Sequence, residues 1–156
     1  MSSGANRERI YANFGDKRGL FTAVLESELQ DLLSAVAVRG AGSDALDAFA
    51  RDYFDETSAH PDLARLAAWE GLELGGDAIG LAARSDAARK KVDELAEAAG
   101  LTRAAAEQAF LTIVTLSHGW VVSPNISSVV LGPDAQASTD RRRAAVRAAA
   151  LTSLEP

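Results

Sequence analysis

Apolar residues return every three or four positions along most of this chain, and nowhere do they alternate strictly with polar ones over a long run. Leu20, Phe21, Val24, Leu25, Leu29, Leu32, Leu33 and Val36 make one such stripe. That period places side chains on one face of an α-helix, whereas a half-buried strand needs a period of two. Thirty-two alanines among 156 residues strengthen the helical reading, because alanine loses no side-chain entropy in a helix. The expected fold is all-α, one main domain of six to eight helices.

Helix boundaries follow from punctuation. Asn6 can N-cap a short helix through Phe14, with Gly15 stopping it. Asp16 can cap a longer helix to about Val38. After the turn Gly40-Ala41-Gly42, a helix from Ser43 or Asp44 turns Leu46, Phe49, Tyr53 and Phe54 inward and ends at His60-Pro61. Pro61 suits the start of the next, carrying Leu63, Leu66, Trp69, Leu72 and Leu74 up to Gly75-Gly76. An alanine-rich polar helix runs from Asp77 or Asp86 to Gly100, with Val92 and Leu95 inward. Thr102 caps the most apolar segment, which Pro124 ends, and Thr139 or Asp140 opens a last helix to about Leu154. Residues 125–131 are the one stretch whose composition allows a strand, with no obvious strand to pair it.

Composition excludes several classes of chemistry. With no cysteine there is no disulfide, thiolate metal site or cysteine nucleophile. His60 and His118 stand far apart, so no metal site is expected and no cofactor is implied. Phosphate-binding glycine loops and the GxSxG elbow are absent, and acidic pairs such as Asp55-Glu56 are consecutive and splay on a helix. Catalysis is therefore not expected. No apolar run is long enough to span a membrane and residues 1–8 lack the apolar core of a secretory signal, so the expected location is the cytoplasm.

Charge is unevenly spread. The net −6 divides into +2 over residues 1–20 and −8 over the remainder. Nine acids against Arg51 and Arg65 fall within residues 44–77. Contact with nucleic acid, if the chain makes any, belongs to its first end. There, Ile10 and Phe14 form the inner face of the short helix while Arg7, Arg9, Tyr11 and Asn13 project elsewhere. Arginine can take guanine O6 and N7, asparagine can take adenine, and tyrosine and lysine can hold phosphates. A solvated amphipathic helix would carry the same residues.

The stretch from Gly4 to Leu25 resembles the recognition helix and following helix of TetR-family transcriptional regulators. Asn6, Ile10-Tyr11, Asn13-Phe14, Gly15-Asp16-Lys17 and Leu20-Phe21 fall in register with that pattern. Ala59-His60-Pro61-Asp62-Leu63 and Trp69-Glu70 are similar to the ligand-binding region of actinobacterial-type members. The resemblance implies a TetR-like helical bundle. Residues 1–20 would be a remnant helix-turn-helix with its recognition helix at about 6–14, and residues 21–156 an effector-binding and dimerisation domain. Asn6, Arg7, Arg9, Tyr11, Asn13 and Lys17 would descend from the DNA-contacting surface.

In that family two helices precede the recognition helix, and this sequence starts at the turn before it. A late translation start, a shortened chain and a natural body-only protein would each produce this. A helix of about nine residues is marginal alone in water. The expectation is that these 156 residues bind no operator at physiological salt, whereas a version preceded by the two helices does.

For the body, Phe49, Tyr53, Trp69, Glu70, Phe110, Ser117 and His118 are the candidate lining of a small-molecule cavity, with ordinary core as the plain alternative. Glu70 stands out, since an acid on an apolar face is costly unless paired or exposed. His60 reads as a helix-end residue. Arg141-Arg142-Arg143 reads as solvated or as bridging subunits. The resemblance further implies a homodimer through helices at about 102–122 and 139–154, operator DNA as the partner of the full-length form, and an unidentified small-molecule effector. The competing class is a stand-alone helical ligand-binding or protein-interaction module with no DNA role.

Overall fold

Four long segments and three shorter ones can hide their apolar stripes only against one another, and the computed structural model shows how. It describes residues 17–75, 80–132 and 138–152. Among them are seven helices and no strand: α1 (Lys17–Ala35), α2 (Ser43–Ala59), α3 (Asp62–Leu74), α4 (Leu81–Ala99), α5 (Arg103–Val122), α6 (Pro124–Leu131) and α7 (Thr139–Leu151). The all-α reading holds.

Helix α2 is the hub. It packs on α7, α5, α4 and α1, and its inner face, Leu46, Phe49, Tyr53 and Phe54, is closed to solvent. Leu25, Leu32, Leu33 and Val36 reach the same core from α1 and the residue just past it, as do Leu95 from α4 and Ile113 from α5. Two ion pairs then fix the α2–α7 register. The Arg147 guanidinium grips both carboxylate oxygens of Asp47 at 2.7 Å, and Arg143 Nε donates to Asp55 at 2.6 Å. Because the later arginine meets the earlier aspartate, the two helices run antiparallel.

Local chemistry accounts for the ends. Thr102 Oγ1 accepts the Ala105 amide at 3.2 Å and starts α5. Gly100 closes α4 in the left-handed region, φ 67°, where a side chain is strained. Gly80 lies in the same region, and a Cβ there would collide with the Glu26 carboxylate, so α4 begins tight against α1. Lys91 is nearly buried on α4; its ammonium donates to the Val36 carbonyl at 3.2 Å and pairs with Glu94 at 2.8 Å. That contact ties the chain leaving α1 to α4.

Three expectations need correction. Residues 125–131 are helical, not a strand: Pro124 occupies the first helical position, where its missing N–H is not needed and its φ is preset, and no neighbouring strand offers a ladder. The first long helix stops at Ala35 rather than near Val38. Helix α4 starts at Leu81, so Asp86 lies inside it. On α3, Leu72 is exposed, because the buried stripe runs through Leu63 and Glu70 and Leu72 sits two residues, about half a turn, off it.

Candidate functional site

The sequence singled out seven body residues, and they fall into two groups. Phe49 and Tyr53 on α2 meet Phe110 on α5, with ring centroids 5.9 to 6.3 Å apart. His118, two turns further along α5, lies nearly parallel to the Tyr53 ring at 6.1 Å. Its Nε2 is 3.1 Å from the Tyr53 hydroxyl. Either neutral tautomer satisfies that contact, the phenol donating to a bare nitrogen or the ring N–H donating to the phenol oxygen.

Burial holds both groups uncharged. It pushes the His118 imidazole down to about 4 and drives the Tyr53 phenol upward, since removing water penalises whichever form carries charge. Beside them, Ser117 Oγ and Thr57 Oγ1 are buried without a hydrogen-bond partner. Thr57 stands one turn beyond Tyr53 on the same buried face of α2. The core between α2 and α5 thus carries a polar thread through an aromatic cluster.

Trp69 and Glu70 are elsewhere. Both ride on α3, where Trp69, 42% exposed, packs on Phe21 of α1 at 4.8 Å. Glu70 is buried, and Arg84 of α4 donates to its two oxygens at 2.9 and 2.8 Å. The pair answers the question its sequence position raised: a charge inside is tolerable when an opposite charge is hydrogen-bonded to it, here through Arg84 Nη1 shared between both oxygens. Its partner was not legible, because the two stand fourteen positions apart in sequence.

Two hollows lie apart from all seven. One, of about 310 Å³, is acidic, with Glu28, Asp31, Glu56 and Asp62 in its wall. The other, of about 570 Å³, opens between α5, α6 and the first turn of α7, against Trp120, Arg141 and Arg142. Sequence reading left this second hollow out; Gly119, a gap in an apolar helix opposite the arginine run, was its available signal. Among the described residues no group of three or more His, Asp or Glu side chains could hold a metal ion, and no helix is long and apolar enough to cross a membrane.

The remaining singled-out residues have these places. His60 is exposed at the end of α2, 3.7 Å from Glu56. Arg143, part of that arginine run, is partly exposed. It joins Asp55 and Asp140 within the chain, and its guanidinium lies 5.9 Å from the Phe54 ring centre. The hydrogen bond to Asp55, then that to Asp140, hold it more firmly protonated. Lys17 is the first residue of α1. Asn6, Arg7, Arg9, Tyr11 and Asn13 lie outside the described residues.

Comparison with known proteins bears on this arrangement. Residues 45–151, from α2 to the end of α7, match the family model of the tetracyclin repressor-like C-terminal domain. Over 151 residues the chain is 32% identical to the HTH-type transcriptional repressor SCO4008 of Streptomyces coelicolor, across 94% of this chain and 77% of that protein. The match therefore runs through nearly all of the sequence, well beyond the domain that the family model covers. This chain belongs to the TetR family of transcriptional regulators.

Proposed function

We propose that the chain is a ligand-responsive transcriptional repressor, with residues 21–156 as its effector-binding and dimerising body. Regulators of this family generally act as dimers that bind DNA and small-molecule effectors. The effector is read at the α2–α5 cluster, by Phe49, Tyr53, Phe110, Ser117 and His118, with Trp69 and Glu70 at the α1–α3–α4 contact. Asn6, Arg7, Arg9, Tyr11, Asn13 and Lys17 face the operator, and the site of action is the cytoplasm.

The observation that carries the effector reading is the polar thread in the core. Most buried polar atoms have a partner, and each one left without costs about 1–3 kcal/mol. Two orphan hydroxyls beside the Tyr53–His118 pair are what an effector's polar atoms would satisfy.

Coupling follows from how α1 is anchored. Its residues Leu25, Leu32 and Leu33 belong to the same buried cluster as Phe49 and Tyr53. A ligand that parts α2 from α5 must shift α1, and α1 leads directly back to the proposed reader. Such a ligand releases DNA only if it binds the shifted state more tightly.

The test is a fluorescence titration of the promoter region beside the gene, using the protein with every residue its reading frame supplies. Selective binding over an unrelated duplex is expected, weakened at least tenfold by Arg7→Ala, since a base contact contributes about 1–3 kcal/mol. Equal affinity for both duplexes, indifferent to Arg7, would contradict the repressor reading and favour a ligand-binding module with no DNA role.

A further inference from the structure

Among the described helices, α6 alone buries none of its residues. It is nevertheless apolar, with Ile126, Val129 and Val130 exposed by 59%, 85% and 73%. Pro124 starts it, and Ser128 Oγ donates back to the Pro124 carbonyl at 2.9 Å. Those local devices do not replace burial, since a helix of eight residues is marginal in water without packing. A row of aliphatic side chains left in solvent marks a surface that something covers.

Beside α6 lies the 570 Å³ hollow, and its composition is that of a contact between chains. Trp120, Arg141 and Arg142 line it and no Asp, Glu or Lys does, in a chain that carries 22 acids. Tryptophan and arginine are enriched where chains meet, while carboxylates and lysine are depleted. A Cβ at Gly119 would meet nothing within 4 Å, so the α5 wall has room for a side chain from outside. The hollow is also continuous with the α5 and α7 segments expected to pair: exposed Leu111 stands one turn before Thr115 in its wall, and exposed Ala144 and Ala145 one turn beyond Arg141.

We propose that α6 is an exchanged arm: in the dimer, α6 of each copy lies across the hollow of the other, with Val129 seated where the partner's Gly119 leaves room. The occupant is a second copy of this chain because one symmetric contact then covers both the bare helix and the open hollow. A two-fold axis makes that contact twice. Arg142 is already held by the Leu116 carbonyl at 3.1 Å, and exposed Arg141 stays in water at the rim. The arm rests on the dimer reading and adds to it a third helix, outside the two that the sequence marked.

The chain has no cysteine, so single-cysteine variants report which surfaces meet. Val129→Cys mixed with Thr115→Cys and treated with a short bismaleimide is expected to give a cross-linked mixed dimer as the main product. Leu72→Cys, exposed on α3, should give none with Thr115→Cys. In sedimentation equilibrium Val129→Glu should weaken self-association about tenfold or more, because each dimer loses two buried valines. Its circular dichroism should match the wild type, since Val129 is exposed within one chain. A Val129→Glu variant that pairs as tightly as the wild type would overturn the arm and leave a dimer through α5 and α7 standing. Linkage of Val129→Cys chiefly to itself would overturn it too, setting α6 against α6 on the two-fold axis. A wild type that stays a single chain at micromolar concentration would overturn the arm together with the dimer reading.

Discussion

Phe49→Ala is expected to lower the unfolding free energy by about 3–5 kcal/mol, the range for removing a fully buried phenylalanine. Phe49 is closed to solvent and has Tyr53 on its own helix and Phe110 on α5 within about 6 Å, ring centre to ring centre. The substitution removes apolar burial, breaks two ring contacts and leaves a void that α2 and α5 cannot both collapse into, because ion pairs hold α2 to α7. Against a typical total of about 5–15 kcal/mol, the loss is large. Urea unfolding reads it as a lower midpoint at unchanged slope. A loss under about 1 kcal/mol would mean that the cluster is loosely packed in solution.

Acid should weaken the fold through His118. The unfolded imidazole titrates near 6.5 and the folded one, desolvated, at about 4. Between those values the unfolded chain binds the extra proton and the folded chain does not, so unfolding gains ground as pH falls. The stability is fully present above about pH 6.5 and is lost as pH drops through the window toward 4. It amounts to about 3 kcal/mol at the acid end. Carboxylates add their own acid loss, so the informative quantity is the difference from His118→Gln, which keeps a hydrogen-bonding group opposite Tyr53 but does not titrate. That difference should change by about 3 kcal/mol from pH 7 to pH 4; a constant difference would place His118 in water.

Periodicity made α2 and α5 legible because both are long and bury a continuous stripe, and Thr102 marked a start through a bond to its own helix. The α6 segment misled because β-branched residues are common in strands, yet an eight-residue piece with no partner strand follows its proline instead. Pairings between distant residues were out of reach. Arg147 finds Asp47 a hundred positions away, and Tyr53 finds His118 sixty-five away. Both depend on how whole helices lie against each other, which no local pattern specifies. For the same reason Phe49, Tyr53, Phe110 and His118 could be grouped as aromatic or polar interior residues, whereas the separation of Trp69 and Glu70 onto the α1–α3–α4 side could not be read.

The operator reading depends on a dimer through α5 and α7. Helix α7 turns Val146 and Ala150 inward, leaving Ala144, Ala145 and Ala148 exposed. Helix α5 exposes Leu111, at 54%. Small side chains let two helices approach closely, and a pair of such faces related by a two-fold axis makes a self-complementary interface. Sedimentation velocity at micromolar concentration, on the wild type and on Leu111→Glu, tests this most directly. The expected wild-type particle has twice 16.3 kDa and the variant is near 16.3 kDa. A wild type that sediments as a single 16.3 kDa chain, or a Leu111→Glu variant that stays paired, would contradict it.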